Sequence, residues 1–211
     1  MSIKKLIIIG AGNFGREMLA WSLASELFNN WKVFGFIDDD LEALNGYNVG
    51  YPIVSTINEY LPKEDDVFIC SINNPNVKLE VCEKLKSIGA KFINIIHPMA
   101  IVGPNCTIGE GVILCPFSML TSHVNLGNYV TINAHSTIGH DAVLGDGCTL
   151  SGHCDITGFA HLEKGVFMGS GSRILPKAHI GEYAFIGAGS VVLRKVKAKR
   201  KVFGIPAQYI D

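Results

Sequence analysis

The chain has 211 residues, 48% of them apolar, and a formal net charge of −1. That balance offers no field for nucleic acid or an anionic membrane, and no apolar run reaches the length of a membrane span. Met1 to Lys5 leads straight into a short apolar strand rather than a secretory leader, and the six cysteines lack the paired spacings of zinc sites, so free thiols in a reducing cytoplasm are expected.

Lys4 to Ile9 reads as a buried strand, followed by Gly10, Gly12 and Gly15 as G-x-G-x-x-G and by a helical stretch from Arg16 to about Phe28. Strand, glycine turn and helix are the setting in which a phosphate meets backbone N–H groups. A second strand, Val33 to Ile37, ends in Asp38, Asp39 and Asp40. Carboxylates are thereby placed at the carboxyl edge of the sheet, where open α/β sheets bind ligands. A third strand, Val67 to Ser71, ends in Asn73 and Asn74, Pro75 to Ile88 reads as a helix, and Ala90 to Ile96 as a fourth strand before His97 and Pro98. Residues 1–97 have room for one βαβαβ half, enough for a single nucleotide rather than a dinucleotide. A glycine turn that only packs helix on sheet is the competing reading, against which the acidic run weighs.

From Val102 to Val192 every sixth residue is aliphatic (Val102, Ile108, Leu114 and so on without a miss), and a compact residue stands two places before each. Neither a helix nor a two-sided strand has a period of six. A parallel β-helix does, three hexads closing one triangular coil of 18 residues, with neighbouring coils hydrogen-bonded at roughly 4.8 Å. About five coils are expected over this stretch. Both the aliphatic and the compact residue should face inward, and the glycines that follow many aliphatics, among them Gly103, Gly139 and Gly181, suit tight corners. Residues 98–211 thus form an all-β hexapeptide-repeat domain behind a Rossmann-like α/β one.

Residues 18 apart share an edge of such a prism. His140 then lies under Gly158, and Asp141 follows it. An imidazole with a carboxylate beside it suits general-base work, and a bare amide above it suits an oxyanion. An exposed corner histidine with no role is the competing reading. Ala134, Gly152, Ser170 and Ala188 form a column of small residues, a narrow groove for a thin ligand. His135 and His140 form H-x4-H, as in part of the metal site of γ-class carbonic anhydrases, but Met99 stands where a third histidine is needed, so no metal is expected.

The motifs IIIGAGNFGRE, GFIDDD, INNPNVK, IIHPMAIVGPN, NAHSTIGHDAVLGD and VFGIPAQYI resemble, in this order and over nearly the whole chain, the bacterial sugar acyltransferases of the NeuD and PglD type. The resemblance implies a left-handed β-helix and a homotrimer with active sites between subunits. It also implies acetyl-CoA as donor and a nucleotide sugar on the N-terminal domain. By it, His140 matches the general base, Asp141 the acidic residue that orients it, Asn133 an asparagine of the same pocket, and Gly158 the glycine whose N–H contacts the acetyl carbonyl. Ser170 and Ala188 match the CoA groove. Thr149 stands at an acyl-donor position where many relatives have a second histidine. Gly12, Asn13 and Phe14 match the loop that meets the sugar nucleotide, Phe14 replacing a common histidine. Asp38 and Asp39 match carboxylates at base and ribose, and Asn73 joins this substrate set.

The expected activity is acetyl-CoA-dependent N-acetylation of the 4-amino group of a nucleotide-linked deoxyamino sugar, for a surface glycan. O-acetylation of a sugar such as sialic acid and a non-catalytic, nucleotide-sensing trimeric scaffold are the alternatives. The basic segment Lys195 to Lys201 is either a contact for CoA phosphates or a solvated tail.

Overall fold

The structure is a computed structural model that describes residues 3–26 and 29–210. Its N-terminal part is a four-stranded parallel sheet: β1 (Lys4–Ile9), β2 (Trp31–Ile37), β3 (Ile53–Ser55) and β4 (Asp66–Cys70), in the order β3-β2-β1-β4. Helices α1 (Asn13–Ser25) and α2 (Pro75–Ser87) cover its two faces. Leu6, Ile8, Val33 and Ile69 pack with Phe14 and Met18 of α1, whereas Ile7, Ile9, Phe68 and Cys70 pack with Leu79, Cys82 and Leu85 of α2. Continuous apolar runs in β1 and β4 follow from burial on both sides.

Three expectations need correction here. The first helix starts at Asn13, not Arg16, because Gly12 already serves as its N-cap; the expected end at Phe28 lies outside the described residues. β3 was not anticipated, since a half-buried three-residue edge strand has too little pattern to read. The fourth strand, Ala90 to Ile96, does not form: Phe92 makes one isolated bridge to Phe68, and β5 (Ile95–Ile96) instead pairs with Ile113–Leu114 as the first rung of the solenoid. The solenoid therefore begins just ahead of residue 98.

From β5 onward the chain winds as a parallel β-helix of two-residue strands. The first face holds Ile95–Ile96, Ile113–Leu114, Thr131–Ile132, Thr149–Leu150, Phe167–Met168, Phe185–Ile186 and Lys201–Phe203. The second face runs from Ile101–Val102 to Val191–Val192, and the third from Thr107–Ile108 to Lys195–Val196, six strands each. The unbroken hexads wind about five coils, as expected, and the winding continues past both of their ends to about six. After Val192 the last coil shortens: Lys195 pairs with His179 and Lys201 with Phe185, a separation of 16 residues instead of 18. Gln208–Ile210 then folds back antiparallel on Lys201–Phe203 and covers that end of the first face.

The inward residues behave as the period requires. Leu114, Leu120, Ile132, Ile138, Leu150, Ile156, Leu162, Met168 and Ile174 are buried in one column-filled core, together with compact Val112, Val130, Ala142, Cys148, Cys154 and Ala160. Each buried aliphatic contributes on the order of 1.5–3 kcal/mol. The glycines serve a different purpose from the one expected. The left-handed backbone position of each corner lies three residues after the aliphatic, where Phe117, His135, Asp141 and His153 adopt φ near +60° alongside several glycines. Gly139 and its equivalents instead leave room between coils: a Cβ on Gly139 would stand 2.8 Å from the Gly158 nitrogen.

The N-terminal part lies on the first face. Ile95, Ile113 and Cys115 share the cluster of α1, Gly147 abuts Leu79 of α2, and Tyr129 packs edge-on against Phe92 at 5.0 Å.

Candidate functional site

Ile138 is buried in the prism, so the residues after it turn the corner between the second and third faces. His140 and Asp141 therefore project outward, with side chains 56% and 41% exposed. The imidazole Nδ1 lies 2.8 Å from Asp141 Oδ2. A carboxylate there fixes Nδ1–H, and the Nε2 lone pair is left free to accept a proton. Asp141 holds this position with φ +60°, a conformation that Asp adopts more readily than most residues. One coil on, the Phe159 N–H donates to the His140 carbonyl at 2.9 Å, which sets Gly158 directly against the ring. A Cβ on Gly158 would come within 2.6 Å of His140 Cε1 and Nε2. The Phe159 ring meets the imidazole edge-on at 5.1 Å and forms a wall beside it.

Asn133 and the small-residue column occupy a different edge, between the first and second faces. Asn133 Oδ1 accepts from the Ala134 N–H at 2.7 Å. Above it the chain steps through Gly152, Ser170 and Ala188, coil bonded to coil by His153 N–H to Ala134 O at 3.0 Å and Gly189 N–H to Ser170 O at 2.8 Å. Beside this column run Phe117, His135 and His153, stacked at 4.9 Å spacings. His135 and His140 thus stand on separate edges and do not converge. Among the described residues no cluster of three His, Cys, Asp or Glu could hold a metal ion.

Thr149 departs from its expected place. It is 2% exposed on the first face, and its hydroxyl accepts from Lys78 Nζ of α2 at 2.6 Å. The N-terminal part covers that face, so Thr149 is not at a donor groove of this chain. Lys78 itself was missed. Its signal was available, because Pro75, Lys78, Leu79, Cys82 and Leu85 form the buried stripe of α2 and one member is a cation.

At the carboxyl edge of the parallel sheet, Gly12 and Asn13 are exposed at the start of α1, and Asn13 Oδ1 accepts from Arg16 at 2.7 Å. Phe14, contrary to expectation, does not face a ligand: the residue is 6% exposed and its ring packs edge-on against Trp21 at 5.8 Å, in the core beneath α1. Asp38 accepts from the Ala11 N–H at 2.6 Å and thereby fixes the glycine turn. Asp39 accepts from the Ile57 N–H at 2.9 Å and ties down the chain after β3. Asn73 is exposed after β4 and borders a cavity of about 360 Å³ that Asn76, Phe167, Tyr183 and Lys201 also line. The glycine turn, Asp38 and Asn73 are thus brought to one edge.

Residues 5–85 match the PglD N-terminal domain family. A GDP-perosamine N-acetyltransferase of Escherichia coli is 31% identical over 125 residues, 57% of this chain and 55% of that protein. A UDP-N-acetylbacillosamine N-acetyltransferase of Bacillus subtilis is 28% identical over 119 residues, 53% and 51% of the two. The chain spans about half the length of the curated relatives it matches. The solved structure of PerB from Caulobacter crescentus in complex with CoA and GDP-perosamine has a TM-score of 0.89 at 25% identity, covering 100% of this chain and 99% of that one.

Proposed function

We propose, for a chain of the NeuD/PglD sugar-acyltransferase type, that it transfers the acetyl group of acetyl-CoA to the 4-amino group of a nucleotide-linked deoxyamino sugar. The observation that carries this reading is the imidazole of His140, bonded through Nδ1 to Asp141 and lying against the backbone of Gly158. The amine nitrogen attacks the thioester carbonyl carbon while His140 Nε2 takes its proton. The Gly158 amide stabilises the tetrahedral oxyanion. The C–S bond then breaks, the amide forms, and CoA thiolate leaves and gains a proton. Asp141 keeps the imidazole in the required tautomer throughout.

The nucleotide sugar is assigned to residues 1–97, with Gly12, Asn13, Asp38, Asp39 and Asn73 around it, and acetyl-CoA to residues 98–211, along Ser170 and Ala188. Phe14 takes part only as packing under the turn. A homotrimer with sites between subunits is favoured by one geometric point: Asn133 and the small-residue groove occupy one edge of the prism and His140 another. One chain cannot bring two edges of a filled prism together, whereas two abutting copies can. A cytoplasmic location is favoured by the acetyl-CoA donor and by six free cysteines. Among the described residues no helix is long and apolar enough to cross a membrane.

The test is release of free CoA thiol from acetyl-CoA in the presence of UDP-, GDP- and dTDP-linked 4-amino sugars, with sialic acid as the hydroxyl acceptor. Release with at least one amino sugar and none with sialic acid is expected. Release with sialic acid alone would move the assignment to O-acetylation, and a thermal shift with nucleotide but no response to CoA would favour the sensor.

A further inference from the structure

Lys78 is fully buried, yet among the described residues no carboxylate pairs with it. Its side chain leaves the first turn of α2, crosses the seam to the β-helix and ends on three oxygens: Thr149 Oγ1 at 2.6 Å, Thr131 Oγ1 at 3.1 Å and the Cys148 carbonyl at 3.5 Å. An ammonium has three donors, and three acceptors meet it. Thr131 and Thr149 are direct register partners on adjacent strands of the first face. They are the polar rungs of a ladder whose neighbours on either side are Ile113 and Phe167. The titratable groups acting on the ammonium are the thiols of Cys70 on β4, Cys82 on α2 and Cys148 on the β-helix. Burying a cation without a counter-charge is costly, and simple adhesion between two apolar faces does not require it. What it adds is register, since an apolar contact can slide and three directed hydrogen bonds cannot.

The register matters at both ends of the lysine. Asn74 caps α2 by accepting from the Asn76 and Val77 N–H groups, and Asn73 precedes it at the proposed nucleotide edge. At the other end, Thr131 opens the coil that continues through Asn133 to His140. We infer that Lys78 is a positioning residue: its three bonds hold the nucleotide-sugar domain at the height of the coil that bears His140. This rests on the proposed function for its kinetic consequence but not for its structural one. Misplacing an acceptor by about 1 Å costs about 10²-fold in rate.

The experiment uses the whole protein with Lys78→Met, which keeps the volume of the stem, and Thr149→Val, which keeps the lysine and removes its shortest bond. Steady-state kinetics are expected to show kcat with the nucleotide sugar reduced about 10²-fold in Lys78→Met and less in Thr149→Val. KM for acetyl-CoA is expected to stay unchanged, because the donor groove lies on the β-helix alone. Hydrogen exchange, which needs no activity, is expected to quicken in α2 while the core strands of the β-helix keep their protection. Wild-type kcat in both variants would overturn the inference, as would unchanged exchange in α2. Should the wild-type protein acetylate no acceptor, the proposed function fails and the exchange result alone decides the role of Lys78.

Discussion

Adding one methyl group at Gly158 is the smallest change that reaches the imidazole. The new Cβ would sit 2.6 Å from His140 Cε1 and Nε2, so the ring must swing away from its bond to Asp141. Gly158→Ala is therefore expected to lower kcat by about tenfold or more while circular dichroism and the melting temperature stay close to wild type. Unchanged kcat would mean that the ring's present orientation is not the one used. Asp141→Asn separates charge from backbone geometry, since Asn accepts φ +60° nearly as well as Asp. Its side chain can accept the Nδ1–H bond but cannot stabilise an imidazolium as a carboxylate does. A lower kcat with the KM for acetyl-CoA unchanged is the expected outcome in steady-state assays. At this scale the sequence was informative wherever the hexad register governed. His140, Asp141 and Gly158 fall together because 18 residues return the chain to the same edge. Register says which edge a residue occupies and not what covers it. Thr149 and Phe14, both placed by resemblance alone, show the same limit: the first is buried under α2 and the second is part of the core.

A strand of two residues has little stability of its own, and each rung of this solenoid depends on its neighbours above and below. The spacing between coils is accordingly intolerant. Gly139→Ala would place a Cβ 2.8 Å from both the Gly158 nitrogen and the Thr157 carbonyl carbon, backbone atoms with nowhere to go. Overpacking of this kind costs about 1–3 kcal/mol, to be measured as a lower urea midpoint with an unchanged slope. A midpoint equal to wild type would show that the coils have slack. Ile156→Ala, in the filled core beneath, is expected to cost about 2–5 kcal/mol by leaving a cavity. The hexads were legible because the same contact recurs in every coil, so a single local pattern is reported many times. The N-terminal elements each occur once. Ile53–Ser55 pairs with β2 through a bulged, half-buried register, and the apolar run after Ala90 satisfies two partners in succession, β4 and then the first coil. Single-occurrence elements of that length leave no periodic trace.

The two halves of the molecule meet across a seam whose buried cation, Lys78, carries a pH signature. Burial lowers the Lys78 pKa from its ordinary value to about 8, with the Cys70, Cys82 and Cys148 thiols opposing the shift. The folded pKa lies below the unfolded one, so between about pH 8 and the ordinary lysine range the unfolded chain binds more protons and stability rises with pH. Below about pH 8 this contribution is absent. Groups that do not interact with Lys78 cancel on subtraction of a Lys78→Met variant, whereas Cys70, whose pKa Lys78 also lowers, stays in the difference and acts in the same direction. Chemical denaturation at several pH values is expected to give a wild-type minus Lys78→Met difference that becomes more favourable to the wild type from pH 8 upward, and a flat difference would contradict the assignment. The seam also explains a limit of sequence reading at this scale: the stripe of α2 and the ladder of the first face are each visible alone, but that Lys78 meets Thr131 and Thr149 follows only from how the two halves are stacked.

The most direct measurement is the rate of CoA thiol release with a nucleotide-linked 4-amino sugar, compared between wild type and His140→Ala at saturating acetyl-CoA. The account predicts a loss of about 10²–10⁴ in kcat for the variant, with its fold and its affinity for acetyl-CoA retained. Equal rates in the two proteins would contradict it, and would leave the imidazole at the corner of the prism without a part in the chemistry.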